Sequence, residues 1–223
     1  MKAKTIRDLL TWSVTEERSG TETCVTTNLL RKTHVIVAPR RGVPQIAIEH
    51  VYGHAYLAER THPLFSTPWF LPGTAGEVVR DVEPVFYAAS DWYVDGLISM
   101  VFPEEFKRGV SQALHLTIEE LREKALPPQT VPEMLRYASL LAHAERLKLS
   151  VKGKPAFVIS VIDDFRNAFL KHNPEKPTIR GLRALLNDLF RPLNGAQVTV
   201  YRRHRIDVWN LVMDTPLKPS VEE

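Results

Sequence analysis

Hydrophobic positions near the start of the chain recur at helical spacing. Ile6, Leu9, Leu10 and Val14 follow Thr5-Ile-Arg-Asp8, whose order matches a capping box, and a helix is predicted up to about Ser19-Gly20. His34-Val-Ile-Val-Ala38 is a short apolar run closed by Pro39 and reads as a buried strand. Pro44, tolerated in a first helical turn, opens a helix running through about Arg60. Residues 61–84 hold Pro63, Pro68, Pro72 and Pro84 together with two glycines, which predicts an ordered loop or short strands. Helices follow over 88–101, ending at Phe102-Pro103, and from Thr117 onward.

Pro127-Pro-Gln-Thr-Val-Pro132 is the sharpest break in this pattern, and a module boundary is placed there. Beyond it the periodicity predicts a helix over 133–148, a strand over 155–159, and helices over 160–171 and 178–190. A turn at Asn194-Gly195 then leads to one long strand or a hairpin over 197–213. The expected fold is α+β and helix-rich, with a mixed module over 1–126, a basic winged-helix-like module over 132–214, and a frayed tail over 215–223.

Composition adds a class and a charge asymmetry. Hydrophobic residues make up 44% and charged residues 25% of the 223 positions, ordinary values for a chain that buries a core. The lone Cys24 rules out a disulfide within the chain and a Cys-rich zinc knuckle. No apolar run approaches the roughly 20 residues of a membrane span, and no signal-peptide core follows the charged start, so a cytoplasmic location is expected. Residues 1–125 carry 14 Lys and Arg against 16 Asp and Glu, whereas residues 146–205 carry 13 against 4. A surplus of nine positive charges in sixty residues is the electrostatic footprint of a polyanion partner.

The helical faces sharpen that expectation. Ile179, Leu182, Leu186, Leu189 and Phe190 form one apolar stripe, and Arg180, Arg183, Asn187 and Arg191 fall on the opposite ridge. Helix, connection, helix and ribbon is the order of a helix-turn-helix with a wing, although His172–Pro177 is longer than the usual turn. Arginine and asparagine can bond base edges in pairs, and the ribbon adds Tyr201, Arg202, Arg203 and Arg205 as phosphate or stacking contacts. Nucleic acid is therefore the expected partner, through a DNA-binding or RNA-binding regulatory module of the kind a phage or mobile element carries. Another alternative is a non-catalytic subunit of a larger assembly whose basic surface meets an acidic protein partner, with Phe65, Trp69, Phe70 and Leu71 as a docking loop or as a cover for the core. No catalytic residue is assigned.

One further constellation lies in the first half. His50 and His54 stand four residues apart, which on a helix puts both imidazoles on one face, as a zinc ion requires of two ligands. The strand Val35–Ala38, the helix Ala47–Leu57 and the later run Met100-Val-Phe-Pro103 resemble the ImmA/IrrE family of zinc peptidases over residues 33–108. The resemblance implies zinc as the cofactor and an acidic third ligand, with Asp91 and Asp95 near its place. It also implies a glutamate directly after the first histidine as general base. Val51 occupies that position, and Glu49 points about 100° away. A degenerate relative of a metallopeptidase fits this better than a working enzyme, and no motif demands another cofactor.

Overall fold

The computed structural model describes residues 5–19, 23–39, 42–151, 160–193, 195–203 and 206–212. Its first strand forms where a helix was predicted. Thr5 and Asp8 do make reciprocal capping hydrogen bonds at 3.1 and 3.3 Å, but only the 3-10 turn Arg7–Leu9 follows. The chain then extends as β1 (Ser13–Ser19), parallel to the whole length of β3 (Thr33–Pro39). Pairing along seven residues overrides the weak helical preference of a segment holding Val14 and Thr15. β2 (Cys24–Asn28) closes the other edge of β3 in antiparallel register, giving the strand order β1-β3-β2.

The expected strand at 34–38 and helix from 44 are present, the latter as α1 (Gln45–Arg60). His34, Ile36 and Ala38 turn inward from the sheet beneath α1. A buried polar knot ties sheet to helix. Nδ1 of His34 lies 3.0 Å from the Thr27 hydroxyl, its Nε2 lies 3.5 Å from the Glu59 carboxylate, and Trp12 stacks on its ring. Glu59 in turn accepts the backbone N–H groups of Thr11 and Trp12. Burial lowers the pKa of His34 despite that carboxylate, so the ring is held neutral.

α2 (Gly76–Val101) starts twelve residues earlier than expected and carries Pro84 inside it. Proline in a helix interior forfeits one backbone hydrogen bond, and the long apolar face of α2 outweighs that loss. Val82, Val85, Phe86, Ala89, Trp92, Tyr93 and Ile98 are all buried. α3 (Pro103–Lys124) begins at Pro103 rather than at Thr117, with proline at its first turn and Glu104 and Glu105 complementing the dipole. Thr130 caps α4 (Val131–Arg146) with a full capping box to Glu133.

The last two helices, α5 (Ser160–Lys171) and α6 (Ile179–Phe190), and the hairpin of β4 (Gln197–Arg203) and β5 (Ile206–Val212) complete the order. The strand expected at 155–159 lies outside the described residues. Six α-helices among the described residues with two small sheets make the chain α+β and helix-rich. No described helix is long and apolar enough to cross a membrane.

The end of the chain packs on two elements, α5 on α4 and α6 on α2. The Trp92 indole donates to the His172 carbonyl at 2.9 Å, and Gly96 and Gly181 let Pro174 and Tyr93 approach where a side chain would clash. The proline-rich segment before α2 is a core cover. Phe65 is fully buried, Phe70 packs on Phe86, and Trp69 and Leu71 bond the backbone of Trp209 at 2.6 and 2.8 Å, extending the edge of β5. One cluster of buried side chains runs from Ile6 to Trp209.

Candidate metal centre

α1 and α2 run antiparallel, and each presents two polar groups four residues apart on the facing surface. His54 meets Asp91 with Nε2 to Oδ1 at 3.0 Å, and His50 meets Asp95 with Nε2 to Oδ1 at 3.2 Å. The two rungs are adjacent, with the imidazole centroids 5.1 Å apart and edge to face. One ligand atom from each of His50, His54 and Asp91 lies within 4.8 Å of the other two, close enough to share one cation.

Hydrogen bonding fixes the tautomer of one ligand. His54 Nδ1 donates to the carbonyl of Phe65 at 2.8 Å, because a carbonyl oxygen can only accept. The other nitrogen, Nε2, then faces the Asp91 carboxylate either with a second proton or with its lone pair. A lone pair opposite a carboxylate oxygen is repulsive, so a cation, proton or metal belongs between them. Two ligands about 2.1 Å from a tetrahedral zinc stand roughly 3.4 Å apart, so the 3.0 Å contact needs only a few tenths of an ångström of opening. Nitrogen, nitrogen and oxygen donors with a carbonyl behind one imidazole are the set zinc favours.

Asp95 is the hub of the second rung. Its Oδ2 also accepts from His143 Nε2 on α4, at 3.0 Å. Burial opposes its charge, and the hydrogen bonds and charges of His143 and His50 outweigh burial, so its pKa lies well below the ordinary carboxylate range. For His50, burial opposes protonation, and the Asp95 hydrogen bond with the charges of Asp95 and Asp91 outweighs it and pushes the pKa up to about 9. His143 is buried, with its ring against Trp92 and edge-on to Phe106.

These groups open onto a cleft of about 610 Å³ bounded by α1, α2, α3 and α4. Asp91 is therefore brought to the histidines, whereas Asp95 stands behind His50 and joins it to His143. The role of His143 had no signature in the sequence, since its partner lies forty-eight residues away. A usable signal existed in the repeated spacing: Asp91 and Asp95 match His50 and His54 step for step.

The basic residues of the chain's end are placed differently. Arg180 and Arg183 are exposed on α6, as are Tyr201, Arg202 and Arg203 on β4. Arg191 pairs with Asp188 at 2.6 Å, and Arg202 approaches Asp207 at 3.8 Å. Asn187 is half-buried and faces β4, accepting the Val198 N–H at 2.7 Å and donating to the Val198 carbonyl at 3.3 Å. That bond pair holds the hairpin on α6 and engages both ends of the amide. Arg205 lies outside the described residues. Comparison with known protein families, with curated proteins and with solved structures finds no match to this chain.

Proposed function

We propose that the facing surfaces of α1 and α2 form a divalent-metal centre, best suited to zinc, in a degenerate relative of the zinc peptidases. The observation that carries this reading is the convergence of His50, His54 and Asp91 from two helices onto one point. Zinc bound there supplies a Lewis acid that polarises a carbonyl and acidifies a bound water. His54 is pre-oriented by the Phe65 carbonyl, and His50, held at Nε2 by Asp95, would have to release the proton that its raised pKa retains in order to bind the metal. A carbonyl behind a metal ligand fixes the ring orientation and raises ligand basicity.

The buried Val51 occupies the position from which a glutamate would take a proton from that water. The centre therefore serves binding of a ligand or of the metal itself, and not peptide hydrolysis by the usual route. Titration with Co²⁺ tests the reading: saturable visible absorption at one equivalent, displaced by Zn²⁺ and lost in Asp91→Ala, is expected. A flat spectrum would refute it.

Nucleic-acid binding through the end of the chain is a second reading, and one observation favours it. Arg180, Arg183 and Arg203 are exposed and make no ion pair among the described residues, on a helix followed by a hairpin in winged-helix order. Its test is the salt dependence of binding to a labelled duplex and a labelled single strand.

A further inference from the structure

We propose that the cleft beside this centre binds small apolar acyl compounds, with the carbonyl or acid head at the metal and the chain along the helices. This rests on the metal reading above. Asp91, His50, Asp95 and His143 line the cleft at one place and are linked by contacts of 3.0–3.2 Å, Asp91 to His54 behind it and His50 through Asp95 to His143. Those members satisfy one another, so a ligand gains at that spot chiefly by binding the metal; Arg136 and Ser139 on α4 add two further polar side chains to the wall.

The remaining wall is largely apolar. Ile46 comes from α1, Pro84 and Ile98 from α2, Val110 from α3, and Leu135 and Leu140 from α4. Tyr87 adds its ring while its hydroxyl bonds Glu83 at 3.0 Å, away from the demands of a ligand. A volume of about 610 Å³ falls within the range of cavities that enclose small ligands, roughly 300–1,000 Å³. A sugar, nucleotide or short polar peptide would find Arg136 and Ser139 and leave most of its other polar groups unpaired against the apolar side chains. An alkyl or branched acyl chain would not.

The test is calorimetric titration of the zinc-loaded full chain with acetohydroxamate, hexanohydroxamate and decanohydroxamate, whose common head binds metal and whose tails differ. Burial of each added methylene should tighten binding by about fourfold until the cleft is filled. Ala113, half-buried on α3 and part of the cleft wall, gives a filling variant: Ala113→Trp should keep zinc and acetohydroxamate binding and abolish the gain with chain length. Zinc uptake with an affinity independent of tail length in the unsubstituted protein would overturn this proposal and leave the metal centre intact. Absence of zinc uptake and of all hydroxamate binding would overturn both.

Discussion

The carbonyl oxygen of Pro174 presses against the bare α-carbon of Gly96, and a methyl group built on that glycine would stand 2.3 Å from it. Both partners are backbone-anchored, so neither can swing aside. Gly96→Ala should lower stability by about 1–3 kcal/mol, the range for forcing an extra carbon into a packed core. A fall in the urea midpoint detected both by far-ultraviolet circular dichroism and by tryptophan fluorescence would show that α2 and the 172–178 connection unfold together. An unchanged midpoint would mean that the two surfaces separate freely.

Asn187 should behave as a structural residue. Its amide satisfies both backbone groups of Val198, which is buried, and Asn187→Ala leaves them unpaired. A loss of about 1–3 kcal/mol is expected, the cost of stranding buried hydrogen-bonding groups. Chemical denaturation measures it, and amide exchange at Val198 should accelerate in the variant. A stable variant with weakened nucleic-acid binding would place the side chain outward instead.

The neutral, buried His34 sets a pH dependence. Its folded pKa is depressed, so the unfolded chain binds a proton near the ordinary value of about 6.5 while the folded chain resists it. Stability from this group is complete above that value and declines as pH falls below it toward the folded value. The stability advantage of the native protein over His34→Gln should therefore shrink between about pH 7.5 and pH 5.5. A gap that is constant over this window would contradict a neutral His34.

How much of this was legible beforehand follows from which forces are local. The β3 run and the helix from Pro44 were readable because apolar length and a proline at the first turn are local signals. β1 departs from the helix that Ile6, Leu9, Leu10 and Val14 predict, because only pairing with β3, twenty residues on, makes the segment extended. Pro84 concealed the first half of α2, since the apolar face that offsets its cost lies against other elements. The His50 and His54 pair was visible by spacing. Asp91 was expected beside them through the family resemblance, whereas Asp95 as the link to His143, and the cleft, were not visible, because they depend on α1 facing α2 and on α4 closing over both. Asn187 looked outward from the helical wheel, and the hairpin that folds against it could not be placed from sequence.

The exposed arginines should give a salt-dependent signature if the chain's end meets nucleic acid. The logarithm of affinity should fall linearly with the logarithm of salt, and the slope should drop by about 2 in Arg180→Ala/Arg183→Ala, one phosphate contact each. Fluorescence anisotropy with a labelled duplex and a labelled single strand measures this. Binding that is insensitive to salt would exclude phosphate contacts by these residues.

The central claim is the metal centre, and the most direct measurement is elemental zinc in protein purified without added metal, compared with His54→Ala and with the surface control His115→Ala. His115 is exposed on α3 and touches only Glu119 among the contacts described, so its loss should change nothing. About one zinc per chain in the unsubstituted protein and the control, and none in folded His54→Ala, is the expected result. Folded, zinc-free protein that also fails to take up added Zn²⁺ would contradict the account.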